Sequence, residues 1–451
     1  SPSSRSTSTR TEESTTPRRS SPSTVSAARA GSAGSSGSTG SAGSAALGGA
    51  ALVTKVTGFP AIAQEKVTLR YLSTAVNQSP AIAAKAGEDL GINIEYIAVT
   101  TDDVAKRVIT QPNSFDLVDT EYFALPKLLP SGNIMGLDAS KITLSDKIAS
   151  VIRNGTVDGK KVGLDGTAPT EVLYLPSEEA TEFAGEETGF LTLIPTTYNA
   201  DTLGIRPDLI DGEVSSWASL LDPKFKGKAA TLNIPSIGIM DAAMAIEARG
   251  DMTYGDKGNM TREEIDKTIA VLIEAKRNGQ FRAFWTDFNE SVNLMASGEV
   301  VIQSMWSPAV TAVRTQGIEC KYQPLKEGYR AWASGFGLPV AIGEREKDAA
   351  YEFINWFLSG WAGAHLAKQG YYTAVLETTK EAMEPYEWAY WFEGKAAEKD
   401  IMSPDGKLLE KAGATRDGGS YDERMGAVAC WNAVMDENIY MIRKWNEFIA
   451  A

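Results

Sequence analysis

From residue 66 onward two rhythms of apolar and polar positions alternate. Short apolar runs bounded by turn residues predict strands, and longer stretches with apolar positions three and four apart predict helices. The first strand is expected at 67–72, a helix at 80–91, a strand at 92–99 and a helix at 103–110. A third strand is expected at 115–118, with Asp119, Glu121, Tyr122 and Phe123 directly after it. A short apolar run at 191–194 then meets Pro195, which reads as a turn, and the pair Tyr198-Asn199. Beyond it the pattern predicts strands at 228–233, 281–285 and 300–306, and helices at 237–249, 261–278 and 289–297. Thr261 with Glu264 three residues on is a helix-start signature, and Gly298 suits a helix stop. The strand at 300–306 is apolar on both faces, as in a sheet covered by helices on each side. Extended segments are expected at 320–325 and 332–342, one helix at 347–368, and a helical, Trp-rich tail at 381–451. No internal repeat is present, and the alternation of strands and helices argues an α/β fold.

Composition changes this picture only at the N-terminal end. Residues 1–50 are mostly Ser, Thr, Gly, Ala and Arg and hold too little apolar area to form a core. Arg18-Arg19, the more apolar stretch 45–56 and the small residues Ala61 and Ala63 predict an export signal over 1–63, cleaved before Gln64. The Arg pair is similar to a twin-arginine signal, although Ser21 stands where a Phe is usual. Of 44 Lys+Arg and 58 Asp+Glu, six and two fall in residues 1–63, leaving 38 and 56 and a net charge of −18 for the rest. A body of that sign repels nucleic acid and anionic membrane surfaces. No run of apolar residues is long enough for a transmembrane helix. Cys320 and Cys430 leave a disulfide or two buried thiols open. The single histidine, His365, removes most His-based catalysis. No zinc-protease, Cys-x-x-Cys or phosphate-loop motif occurs, so the chain is not expected to be an enzyme or to carry a cofactor or metal.

Six pieces in order resemble one family, the type II solute-binding proteins of ABC importers, and its polyamine-binding branch in particular. They are the loop 73–76, the run Phe115-Asp116-Leu117-Val118, the block 191–228 around Tyr198-Asn199, Gly298-Glu299-Val300 leading to Trp306, the segment 332–339, and the helix 349–359. The resemblance implies an α/β fold of two lobes with hinge crossovers and a helical C-terminal tail. It implies a first lobe from 64–195 and 328–451, a second lobe from 196–327, and hinges near 195 and 328. It also implies a ligand cleft between the lobes. Three acids that hold ammonium groups in polyamine binders are replaced here: Val76, Ala309 and Ser334 stand at those places. Burying two ammonium charges without carboxylates costs several kcal/mol each, which argues against putrescine or spermidine.

The same layout selects candidate ligand residues. Trp285, Trp306 and Trp332 at strand ends facing the cleft suit rings, sugars and quaternary amines; core packing is the alternative for each. Asp119, Glu121 and Asp287 lie near these aromatics and could answer a cation. Thr74 falls in the first cleft loop, Tyr122 beside the second, Tyr198 at the crossing and Ser334 on the return strand. Ser236 opens a helix whose free N–H groups could hold a carboxylate or phosphate. Tyr371-Tyr372 weakly resembles the tyrosine pair of ferric-ion-binding relatives, with packing and one Tyr in the cleft as the alternative. The expected function is capture of a small polar organic solute (amine, amino-acid-like or opine-like) for an inner-membrane ABC permease. The expected form is a periplasmic monomer without nucleic-acid partners. A polyamine receptor, a ferric-ion-binding protein and a periplasmic sensor partner are the alternatives.

Overall fold

The computed structural model describes residues 66–451. The expected export signal lies outside the described residues. The chain begins with β1 (Thr68–Ser73), α1 (Pro80–Leu90), β2 (Asn93–Ala98), α2 (Thr101–Thr110) and β3 (Leu117–Glu121). Here β3 starts two residues later than its apolar run and carries Asp119 and Glu121 inside the strand. The three strands are parallel, in the order β3-β1-β2.

The segment around Pro195 departs from its expectation. No turn forms there; β4 (Ile194–Ile205) runs straight through it, and all twelve residues are buried. Pro195 is tolerated because the register to the neighbouring strand slips between Pro195 and Tyr198. Such a bulge absorbs the missing N–H donor.

A second parallel set follows: β5 (Ala229–Leu232), β6 (Phe281–Trp285) and β7 (Ile302–Met305). Its helices are α3 (Pro235–Arg249), α4 (Arg262–Arg277), α5 (Phe288–Ser297) and α6 (Ser307–Arg314). Residues 236–246 of α3 are all buried, as a helix apolar on every side requires. The start of α4 is a closed capping box: Glu264 N–H donates to Thr261 Oγ1 at 3.2 Å and Thr261 N–H to Glu264 Oε2 at 2.8 Å. The long strand β8 (Tyr329–Pro339) then returns antiparallel to β4. The sheet order is β6-β5-β7-β4-β8-β3-β1-β2, so the β4/β8 pair joins the two parallel sets.

The helix expected at 347–368 is two: α7 (Glu344–Leu358) and α8 (Trp361–Ala367). They part at Gly360, whose φ of +123° an L side chain rarely adopts. The tail is helical at Leu376–Ala382, Pro385–Trp391 and α9 (Asn438–Ala450), and it also adds β9 (Val428–Trp431), parallel to β8.

The two largest cores divide the molecule. One gathers Tyr71, Leu117, Phe336, Phe353 and Phe357; the other gathers Leu203, Trp217, Ile246 and Leu272. Met441, Trp445 and Phe448 of α9 belong to the second. The last helix therefore leaves the first half, where 328–451 as a whole was expected, because its apolar stripe packs on α3 and α4. The chain crosses between the halves a third time, after β9. Cys320 and Cys430 are both buried and free, so the disulfide alternative falls. Among the described residues no helix is long and apolar enough to cross a membrane.

Candidate functional site

Strand direction sets where chemistry can gather. In each parallel set the carboxyl ends lie on one edge, where the loops that bind ligands in open α/β sheets arise. Thr74 and Asn77 follow β1, Thr101 opens α2 after β2, and Glu121 ends β3. From the other set, Ile237 lies in α3 after β5 and Trp306 follows β7. The bridging pair β4/β8 forms the floor. Successive side chains of a strand alternate between faces, so Arg330, Trp332 and Ser334 of β8 share one side. These residues, with Asp201, Tyr371 and Asn432, line one small cavity of about 30 Å³ between the halves. A wider cleft of about 230 Å³ shares Thr74, Thr101 and Trp306 with it and continues past Asp287.

Register fixes the polar pairs on this floor. Ser334 lies opposite Glu121, and Arg330 opposite Asp201. Arg330 is 1 % exposed and its fork is fully engaged. Nε donates to Asp241 Oδ1 at 2.5 Å, and Nη1 to Asn432 Oδ1 at 2.9 Å. Nη2 stands 3.5 Å from Asp201 Oδ2. Ser304 also donates to Asp241, and Tyr322 Oη to Asp201 Oδ1 at 2.7 Å. Burial pushes the Asp201 carboxyl up to about 6, against the pull of Arg330, Tyr322 and Trp332. This guanidinium thus ties β4, β8, the third crossing and α3 together beneath the cavity.

Glu121 differs. No described residue hydrogen-bonds its carboxylate. Burial raises it to about 8, Asp102, Asp119 and Asp201 push the same way, and Arg330 pulls it down. Aromatic rings complete the walls. Trp306 stands edge-on to Trp285, with centroids 5.0 Å apart, and Trp332 edge-on to Tyr371 at 5.9 Å. A buried carboxylate among aromatic faces is the chemistry of an ammonium site.

Of the residues expected from the sequence, Thr74, Glu121, Trp306, Trp332, Ser334 and Tyr371 line the cavity. Asp287 lines the outer cleft, where Oδ1 caps α5 by accepting from Asn289 and Glu290 N–H. The others fall elsewhere. Asp119 is buried, accepts from Tyr71 Oη at 2.9 Å and Thr196 Oγ1 at 3.0 Å, and is raised to about 7 by burial. Tyr122 is in the core, donating to the Leu193 carbonyl, and Tyr198 pairs with Tyr421. Trp285 is fully buried behind Trp306. Ser236 donates to Asp102 Oδ1 at 3.1 Å, so a carboxylate of the opposite half takes the place given to a ligand anion. Tyr372 packs inside, its Oη accepting from Arg416 and Arg424. Among the described residues no group of three or more His, Cys, Asp or Glu could hold a metal ion.

Asn77, Thr101, Asp201, Ile237, Arg330 and Asn432 were not expected in the site. The alternation Arg330-x-Trp332-x-Ser334 was a usable signal once β8 is known to start at Tyr329. Asn432 had none, since the third crossing is a product of where α9 packs. Val76, Ala309 and Ser334 carry no carboxylate, but Glu121 and Asp201 place two in the cavity lining.

Residues 81–388 match the family model of bacterial extracellular solute-binding proteins. The chain is 22 % identical over 325 residues to the putrescine-binding periplasmic protein PotF of Escherichia coli (strain K12), covering 69 % of this chain and 78 % of that protein. The fold is similar to the spermidine/putrescine ABC transporter substrate-binding protein PotD of Streptococcus pneumoniae, with a TM-score of 0.56, 14 % identity, and 85 % and 98 % of the two chains covered. It is also similar to the binding protein AgtB of A. tumefaciens R10 in complex with agropinic acid, with a TM-score of 0.55, 14 % identity, and 85 % and 99 % covered.

Proposed function

We propose that this chain, which belongs to the bacterial extracellular solute-binding proteins, is the substrate-binding component of an ABC importer. Its solute is a small polar organic molecule carrying a protonated amine. The observation that carries this reading is Glu121: a carboxylate in the cavity wall with no hydrogen-bond partner among the described residues, beside aromatic rings. An ammonium group there would pair a charge that burial otherwise disfavours. The matched relative that binds putrescine is consistent with amine chemistry.

Capture follows from the layout. The solute enters between the halves, and bending of β4, β8 and the third crossing closes the cavity over it. Closure needs contacts that only the closed form makes, and the Asp102–Ser236 hydrogen bond across the rim is one. The closed form then docks on a permease. We place the chain in the periplasm as a monomer that binds and releases its solute unchanged.

Isothermal titration and thermal melting against amines, amino acids, opines, sugars and metal ions test this. Amine-bearing solutes should bind one to one and raise the melting temperature by mass action. Binding of sugars or metal ions alone, with no amine in the panel bound, would overturn it. Turnover of a bound solute would overturn the receptor reading.

A further inference from the structure

Beyond an ammonium site, the cavity floor carries a second, uncharged recognition point. We infer that Asn432 and Asp201 together read a neutral hydroxyl or primary carboxamide on the solute, so that this chain prefers a hydroxylated or amide-bearing amine to a plain diamine. The inference rests on the proposed amine reading of the cavity.

Two buried polar atoms carry it. Asn432 Nδ2 and Asp201 Oδ2 have no hydrogen-bond partner, and their residues are 2 % and 1 % exposed and line the cavity. Their identities are fixed by what surrounds them. Arg330 Nη1 can only donate, so the Asn432 atom it meets at 2.9 Å is the oxygen, and the amide N–H₂ is left over. On the other side Tyr322 Oη accepts from the Thr202 N–H and gives its proton to Asp201 Oδ1, leaving Oδ2 with only the long 3.5 Å approach of Arg330 Nη2. The Trp332 indole N–H faces the Asp201 carboxylate without closing a hydrogen bond.

The two residues share one partner. Asn432 sits on Nη1 of the Arg330 fork and Asp201 on Nη2. The cavity lining thus holds an unpaired amide donor and an unpaired carboxylate acceptor on two residues held by one guanidinium. A hydroxyl accepts from Nδ2 and donates to Oδ2, and a primary carboxamide does the same with two atoms. An ammonium can satisfy Oδ2 alone and leaves the amide N–H₂ unpaired. A carboxylate can satisfy Nδ2 alone and meets Asp201 as a like charge. Buried sites built to hydrogen-bond a polar group discriminate strongly against analogues lacking it. Arg330 also bonds Asp241 of α3, so this point lies where the strands of both halves meet.

The test uses the purified full chain and three four-carbon probes: aminobutanol, butylamine and putrescine. All three carry an ammonium for Glu121; they differ at the other end. Aminobutanol should bind about tenfold tighter than butylamine, the worth of one added neutral hydrogen-bonded group, and tighter than putrescine. Asn432→Asp keeps the oxygen on Arg330 and replaces the donor by an acceptor. It should erase the aminobutanol advantage and shift preference to putrescine. Its melting curve reports whether it is folded, and the wild-type series stands without it. Equal wild-type affinities for aminobutanol and butylamine would overturn this inference and leave the amine reading intact. A wild-type preference for putrescine would do the same. No binding of any of the three would overturn both.

Discussion

Glu121 shows how one side chain couples ligand capture to pH. Its carboxyl is raised to about 8, with Asp102, Asp119, Asp201 and Arg330 around it. An ordinary Glu lies near 4.3. The folded state therefore holds a proton that the unfolded chain releases. Stability from this group is present in full below about pH 4 and is lost as pH rises through about 8. Ligand-free protein should melt lower at pH 9 than at pH 6, and Glu121→Gln should flatten that fall. At pH 8.5 the variant should be more stable than the parent by about 1 kcal/mol or more, since a neutral amide removes the buried charge. An ammonium needs the ionised form, so amine affinity should rise with pH between 6 and 8 in the parent. In Glu121→Gln it should drop at least about tenfold and lose this pH dependence. Titration calorimetry at several pH values checks both, and a pH-independent affinity in the parent would count against the assignment. Sequence position alone identified Glu121 as a candidate, but it could not separate it from Asp119. Two residues apart on one strand, one carboxylate is paired by Tyr71 and Thr196 while the other is not.

At the scale of elements, a strand register and a helix break decide most. The β4/β8 register sets Asp201 against Arg330, and the β3/β8 register sets Glu121 against Ser334. A one-residue slip would turn each of these away from the cavity. In the closure proposed above, the rim contact between α2 and α3 touches no solute. Ser236→Ala should weaken every bound solute by a similar factor, about two- to tenfold, because one hydrogen bond to a carboxylate is lost. A loss confined to one chemical class would instead make Ser236 a ligand contact. Gly360 parts α7 from α8, and a Cβ there would stand 2.4 Å from the Thr378 carbonyl oxygen. Gly360→Ala should cost about 2 kcal/mol or more, from the clash and the φ of +123° together. Urea unfolding reads this, and an unchanged midpoint would show that the turn relaxes. The helix pattern at 347–368 hid this break because the apolar spacing persists on both sides of it.

For the whole molecule, bending at β4, β8 and the third crossing predicts a smaller radius of gyration when an amine solute is bound. Small-angle X-ray scattering with and without the solute measures it, and identical curves would argue that the halves do not move. The order of strands and helices, the α/β class and the cap of α4 were determined by the sequence itself, since each depends on periodicity and neighbours within a few residues. So were the family resemblance and the candidates Thr74, Glu121, Trp306, Ser334 and Tyr371. Only the tertiary structure decided that Pro195 lies within a buried strand, that α9 packs in the second core, and that Cys320 and Cys430 stay apart. It likewise decided the Asp201–Arg330–Asn432 floor, whose members come from β4, β8 and the third crossing. The reason is physical: hydrophobic spacing along a chain specifies which face of an element is buried, but not which distant element covers it. Which carboxylate is paired and which is not depends on groups 48 and 77 residues away along the chain, brought there by the fold.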